Sequence, residues 1–333
     1  MKVNKKAVYL TAMTALFTTP SIFANQNSDL SHNLSVTGFI DTNWSYIDTS
    51  GADSDQSFAV DQVEFNVLYQ FEDKLKAQVD LEYQDDGDGN GEEVDVEQAF
   101  ISYDVSNDFT VKLGRFLSYS GWETEEPTGL YQYSGTGYGA YFYGGYQQGV
   151  SGKYTTDTFA AAVSIVNDLG DSSGENRNAD NKGIETMLAF MPTEQITIKG
   201  FYMTDELEGS DETTHLMNIW SSYVIDDFTF AVEYNDSENA PAAVAIAGIN
   251  AEANGYLLMG NYAINNWGFT LRYHAYEIEN SAGNTLVESS GITFSPNYKF
   301  NDNLLMVFEY RTDSEDVGDT DTDSVALRAL VTF

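Results

Sequence analysis

A chain of 333 residues with 52 acids against 15 bases carries a net charge of −37, which excludes nucleic-acid binding by phosphate neutralisation. Its 42% hydrophobic and 14% aromatic content excludes disorder. Zero cysteines exclude disulfides, thiolate zinc sites and cysteine nucleophiles.

The first element is a leader. Lys2, Lys5 and Lys6 precede an apolar stretch from Ala7 to Phe17, and Pro20 and Ser21 lead to Ile22-Phe23-Ala24. That is the order of a secretory signal peptide spanning 1–24, with the cut after Ala24. The apolar stretch falls short of the roughly 20 residues a spanning helix needs. The mature chain 25–333 keeps all 52 acids and 12 bases, a net charge of −40. Within it the longest nearly apolar run, Ala240 to Ile249, is broken by Pro241 and Gly248. A membrane-spanning form must then be a closed β-barrel, the other fold that satisfies every backbone group in lipid.

From residue 34 onward the periodicity is that of strands. Val63, Phe65, Val67, Tyr69 and Phe71 alternate with Gln62, Glu64, Asn66 and Gln70. After Glu72-Asp73, Leu75, Ala77, Val79, Leu81 and Tyr83 alternate with Lys76, Gln78, Asp80, Glu82 and Gln84. A period of two puts one set on each face of a sheet. It predicts sixteen strands: 34–47, 58–72, 74–85, 92–105, 108–118, 145–155, 157–167, 181–191, 194–206, 213–225, 227–236, 252–264, 266–279, 286–299, 302–313 and 322–333. Short turns fall near Asp73, Ser106, Thr156, Pro192, Asp226, Asn265 and Asn301, and longer acidic or glycine-rich loops separate the other neighbours. The expected fold is all-β: a transmembrane antiparallel up-and-down β-barrel of about 16 strands, with long extracellular loops and short periplasmic turns. It places the chain in the outer membrane of a Gram-negative bacterium. A soluble β-sandwich gives no reason for connections to alternate in length.

Aromatics gather at the turns: Phe71, Phe109, Tyr154, Phe159, Phe190, Phe228, Tyr262, Trp267, Tyr298 and Phe300. This is the pattern of an interfacial girdle. In the last strand Val325, Leu327, Ala329, Val331 and Phe333 alternate up to the final residue. Such an aromatic end resembles the signal that hands outer-membrane proteins to the barrel-assembly machinery.

Lys112-Leu113-Gly114-Arg115-Phe116, Gly121-Trp122-Glu123 and Tyr131-Gln132-Tyr133-Ser134 carry a further likeness. Over residues 108 to 150 the chain resembles the Gram-negative porins, in particular the β-barrel porin-2 (OmpL-like) family. The resemblance implies an outer-membrane porin, passing small hydrophilic solutes and ions by passive diffusion. It also implies that the loop 119–144, rich in glycine and tyrosine, folds into the barrel as a constriction loop. Glu123, Glu125 and Glu126 would then face bases on the lumen wall: Lys112, Arg115, Arg272, Arg311 and Arg328. Of these, Arg272 and Arg328 occupy polar-face positions by alternation. Acid opposed to base across a pore sets up a field that sorts solutes by charge.

Charge is also sorted along the barrel axis. The loop 85–93 carries Asp85, Asp86, Asp88, Glu92 and Glu93, and the last loop Asp313, Glu315, Asp316, Asp319, Asp321 and Asp323. Lys74, Lys76, Lys112, Lys153, Lys199 and Lys299 lie toward the short turns. An acidic mouth concentrates cations within a Debye length, about 8–10 Å at physiological salt, so cation preference is expected. The same acids serve equally as a solvated surface or as bridges to lipopolysaccharide through divalent ions.

Asp86, Asp88, Asn90, Gly91 and Glu97 match the EF-hand pattern D-x-[DN]-x-[DN]-G-x5-E. Flanking strands, where an EF-hand has helices, speak against that motif and leave a loop-bound Ca²⁺ on Asp86, Asp88, Asn90 and Glu97 open. No other cofactor is expected.

No catalytic residue is expected either. His32, His215 and His274 are the only histidines. Only His215, near the outer rim with Asp211 and Glu212, would suit a rim hydrolase. A structural or adhesive barrel with a loop-occluded lumen is the main alternative to a pore. The expected partners are outer-membrane lipid and lipopolysaccharide, the barrel-assembly machinery and small hydrophilic solutes, with a homotrimer left open and nucleic acid excluded. The apolar run 240–249 is open among three roles: packing across the mouth, touching a neighbouring subunit, or forming an extra strand pair.

Overall fold

The computed structural model describes residues 33–84, 93–169 and 182–333. The leader 1–24 and the motif residues Asp86, Asp88 and Asn90 lie outside them. Sixteen antiparallel strands close into one barrel. They are β1 (Leu34–Thr49), β2 (Asp55–Glu72), β3 (Leu75–Gln84), β4 (Glu93–Asp104), β5 (Phe109–Leu117), β6 (Tyr146–Thr155), β7 (Phe159–Val166) and β8 (Gly183–Thr193). β9 (Ile196–Glu206), β10 (Thr213–Ile225), β11 (Phe228–Glu238), β12 (Glu252–Ile264), β13 (Trp267–Glu279), β14 (Thr285–Lys299), β15 (Leu304–Glu315) and β16 (Thr320–Thr332) complete it.

Each strand pairs with its sequence neighbours, and β1 pairs β16 from Phe39↔Thr332 to Thr49↔Thr322. Closure leaves no open edge, which is what lipid demands of a sheet. Gly38 and Phe333 exchange both backbone hydrogen bonds at 3.0 Å. The Phe333 ring covers Gly38, where an added Cβ would meet it at 3.0 Å, and lies 5.6 Å from the Phe65 ring. The final residue is therefore part of the seam.

The strands run a little differently from their sequence-derived bounds. On the long-loop side β1, β2, β15 and β16 extend further, leaving only 50–54 and 316–319 as connections. Asp313, Glu315, Asp321 and Asp323, expected in a loop, are paired strand residues. Asp319 turns the chain tightly at φ 48°, a conformation aspartate tolerates better than most residues. The turn expected near Pro192 falls at 194–195, because β8 continues past Pro192 through an irregularity between Phe190 and Thr193. Proline lacks an N–H, so the pairing slips there.

Alternation sets the two faces. Val163, Leu188, Ile219, Phe230 and Leu271 point outward and are exposed, while Ser164, Asn218, Asn235, Thr270 and Thr293 point inward and are buried. Aromatic rings meet on the outer face beside the short turns: Phe228 with Tyr262 at 4.5 Å, Trp267 with Tyr298 at 4.8 Å, and Tyr298 with Phe300 at 4.9 Å.

Among the register shifts, two change what the interior carries. Asp61 is passed over where Asp41 pairs Gln62 and Thr42 pairs Val60. Glu97 is passed over where Asp80 pairs Gln98 and Leu81 pairs Val96. An extra residue in one strand re-aims its side chain, and each bulge adds an acid to the interior.

Candidate functional site

The connection 118–145 between β5 and β6 runs inward and touches strands on every side of the lumen. Gly114 prepares its entry. At φ +135° that residue lies so close to β4 that an added Cβ would be 2.2 Å from Ala99 O and 2.7 Å from Phe100 Cα.

Three wall glutamates receive the loop's donors. Glu185 on β8 accepts from Ser118 Oγ at 2.6 Å and Tyr119 N at 2.8 Å. Glu233 on β11 accepts from Trp122 N at 2.7 Å, and from the hydroxyls of Tyr138 at 2.6 Å and Tyr143 at 2.5 Å. Glu309 on β15 accepts from Tyr133 N at 2.8 Å, Ser134 N at 3.1 Å and Ser134 Oγ at 2.5 Å. Burial pushes the Tyr138 and Tyr143 phenols well above their ordinary range, and the Glu233 charge adds to the shift. They stay protonated as donors. The sequence reading missed all three glutamates. Alternation could have placed each on the lumen face, but nothing in the sequence marks them as loop anchors.

Three wall arginines receive the loop's carbonyls. Arg272 on β13 donates to Ser134 O at 2.7 Å and pairs with Glu123. Glu123 in turn accepts from Gln132 Nε2 at 2.9 Å and Thr136 N at 2.6 Å, so it also ties the loop to itself. Arg311 on β15 donates to Gly135 O at 2.5 Å and Thr136 O at 3.0 Å. Arg328 on β16 reaches Gln132 O at 3.4 Å and stacks over Tyr133 at 4.5 Å. An unpaired buried carbonyl is costly, and the guanidinium fork suits several at once.

Of the pairings expected from sequence, the structure brings together Glu123 and Arg272. The carboxylate partners of Arg311 and Arg328 are instead wall residues, Asp313 at 2.6 Å and Asp41 at 2.8 Å. Glu125 is exposed. Glu126 faces acids, lying against Glu64 on β2 and Glu97 on β4. The reason is local: Pro127 holds Glu126 extended at φ −77°, ψ 135°, and consecutive extended side chains point to opposite sides. Burial, with Glu64 beside it, pushes the Glu126 carboxyl well above the usual carboxylate range.

Lys112 lies over the rings of Phe100, Phe116 and Tyr119 at 4.4, 5.3 and 5.7 Å. Arg115 donates from Nε to Val96 O at 3.2 Å and Glu97 O at 2.9 Å, bracing the β4 bulge. Glu97 is thus the one member of the calcium-loop match inside the described residues, and its side chain points into the barrel.

The lumen has two unlike walls. From β7 to β13 the loop packs on apolar side chains. Trp122 meets Trp220 at 5.2 Å, and Tyr138 and Phe142 are fully buried in a cluster with Met203, Leu257 and Ile278. The run 240–249 joins this side. Its residues Pro241–Ala247 form a short helix with Ala243 buried, and Val244 and Ala247 pack on the same cluster. That helix packs against the loop's own helix, Gly139–Phe142.

From β2 to β4 the wall carries Asp61, Glu64, Asp80, Glu82 and Glu97. Among the described residues no ion pair joins Glu64, Asp80, Glu82 or Glu97 to a base.

His274 is buried beside Asp313 at 3.5 Å and the Tyr138 ring at 6.2 Å. His215 shares the outward face with Met217 and Ile219, and its Nδ1 is 2.9 Å from the Tyr202 hydroxyl. Asp211 and Glu212 are not its hydrogen-bond partners.

The family model described as "Putative beta-barrel porin-2, OmpL-like" matches residues 21–332. Solved structures share the architecture. The in-vitro folded OmpT of Vibrio cholerae in its trimer form aligns at TM-score 0.64 and 13% identity, over 90% of this chain and 99% of its own. An anion-selective porin from Comamonas acidovorans aligns at 0.66 and 15%, over 90% and 99%. The outer membrane channel DcaP of Acinetobacter baumannii aligns at 0.64 and 14%, over 90% and 97%. At such identities the likeness is one of fold. No curated protein matches the chain in sequence.

Proposed function

The chain belongs to the β-barrel porin-2, OmpL-like family, and on that premise we propose that it is a cation-preferring diffusion pore for small hydrophilic solutes. The family and the architecture make it an outer-membrane channel. Its selectivity cannot be taken from the fold, since a barrel of the same shape is anion-selective.

One observation carries the cation preference. The three arginines that hold the loop each have a carboxylate beside them: Glu123 for Arg272, Asp313 for Arg311 and Asp41 for Arg328. Glu64, Asp80, Glu82 and Glu97 have no such partner among the described residues. The β2–β4 side of the interior is therefore acidic, and a narrow, low-dielectric passage amplifies its charge. In this reading loop 119–144 is the constriction, and Glu123, Arg272, Arg311 and Arg328 hold it in place. Residues 1–24 are the cleaved leader, the assembly is a homotrimer, and the passage is not an enzyme's cleft.

Reversal potential across a planar bilayer in a KCl gradient tests the preference. Cation selectivity is expected, and anion selectivity overturns the reading. The dense anchoring of the loop favours a second reading, an occluded barrel. Absence of stable conductance steps from folded protein would establish that reading instead.

A further inference from the structure

Glu64, Glu97 and Glu126 each place one carboxylate oxygen within 4.8 Å of the other two. The three come from separate parts of the chain: Glu64 from β2, Glu97 from the β4 bulge, and Glu126 from the inward loop. None has an ion-pair partner among the described residues. Ordinary hydrogen bonding occupies only part of the cluster. Asn66 Nδ2 donates to Glu64 Oε1, and the Tyr146 hydroxyl donates to Glu97 Oε1 at 2.8 Å and Glu126 Oε1 at 3.2 Å. Gln62 Nε2 donates to Glu126 Oε2 at 3.0 Å.

Glu64 and Glu97, at 2% and 5% exposure, each keep their Oε2 buried with no donor except a neighbouring carboxyl, Glu126 beside Glu64 and Glu82 beside Glu97. Each pair therefore needs a proton or a cation between its oxygens. A buried carboxylate oxygen without a partner is expensive. Here two of them belong to one tight cluster, and their companion oxygens are already fixed by neutral donors. That is the arrangement of oriented ligands awaiting a positive charge.

We propose that Glu64, Glu97 and Glu126 form a divalent-cation site, suited to Ca²⁺, that clamps the inward loop to the β2–β4 wall. The ligands are all hard oxygens. Ca²⁺ takes six to eight of these at about 2.3–2.6 Å with flexible geometry, so one ion reaches oxygens up to about 5 Å apart. Mg²⁺ demands a tighter octahedron and gives up water reluctantly. Lumen water completes the shell. The site differs from the EF-hand-like match, sharing only Glu97 with it. Its ligands are brought together by folding and not by spacing. Any effect on permeation rests on the pore reading above, whereas binding does not.

The test uses the folded full-length barrel in detergent with Tb³⁺ as probe, excited through tyrosine, since Tyr146 bonds two of the ligands. Saturable emission that Ca²⁺ displaces is expected. Glu97→Gln and Glu126→Gln should each weaken it roughly tenfold or more, because ligand charge sets affinity, and the double change Asp86→Asn, Asp88→Asn should not. Absence of sensitised emission overturns the site, as does emission that survives both glutamine variants. Should a variant fold poorly, proteolysis of the wild-type loop with EDTA or CaCl₂ decides. Slower cleavage within 119–144 in Ca²⁺ supports the clamp, and equal rates overturn it. A barrel that binds Tb³⁺ yet never conducts would sink the pore reading alone. A conducting barrel that gives no Tb³⁺ signal would sink the site alone.

Discussion

The β7–β13 wall and the β2–β4 wall face the same lumen and follow the same inward–outward alternation, yet they treat the loop in opposite ways. The first buries Trp122, Tyr138 and Phe142 against Met203, Trp220 and Leu257 and gives Glu233 to the loop's donors. The second collects carboxyls, two of them delivered by bulges at Asp61 and Glu97. One wall holds the loop through apolar packing as well as charge, and the other meets it through polar contacts, Tyr133 with Asp61 and Gln62 with Glu126 among them. On the proposed reading a barrel separates positioning from selectivity by azimuth, because each strand's inward face varies without disturbing the hydrogen-bonded cylinder.

That division can be broken from the holding side first. Arg272→Met leaves Glu123 and the Ser134 carbonyl without their buried partner. Removing one member of such a pair costs roughly 3–5 kcal/mol. Denaturant unfolding should register a loss of that order, and single-channel conductance should rise as the loop frees. Glu233→Gln keeps the shape but removes a charge that accepts from Trp122, Tyr138 and Tyr143. A loss of about 1.5–3 kcal/mol is expected from hydrogen bonds to a charged group, with noisier conductance and little change in selectivity.

The charged wall should answer in the other currency. Glu82→Gln removes a carboxyl that lies against Glu97. Stability should not fall, because the change relieves two buried carboxyls pressed together, while the reversal potential moves toward zero. Equal stability losses on both walls would contradict the separation. At the small end, His215→Ala should change neither property, and neither form should hydrolyse peptide or lipid in a direct assay. Measurable hydrolysis lost in the variant would reopen the rim-enzyme alternative.

Much of the barrel was legible beforehand because alternation is local. The sixteen strands lie within a few residues of the bounds read from period two, and the aromatic rings sit beside the turns that predicted them. The inward path of 119–144 came from a family likeness, and the loop does reach every side of the lumen. The pairing of its acids was only partly legible. Glu123 meets Arg272, but Glu126 turns to Glu64 and Glu97, and Arg311 and Arg328 give their donors to loop carbonyls. Backbone carbonyls leave no trace in a sequence, so an arginine that serves them reads as one awaiting an acid.

What the sequence determined by itself was the cylinder: strand count, the face each side chain takes, and the lengths of most connections. These follow from a two-residue period and from lipid's demand that every backbone group be paired. Tertiary structure alone decided which buried groups meet. Two one-residue bulges shift the phase of β2 and β4, and a proline after Glu126 turns it from the arginines toward the acids. Residues 64, 97 and 126 become neighbours only when strands and loop close on one another, and no spacing along the chain encodes that.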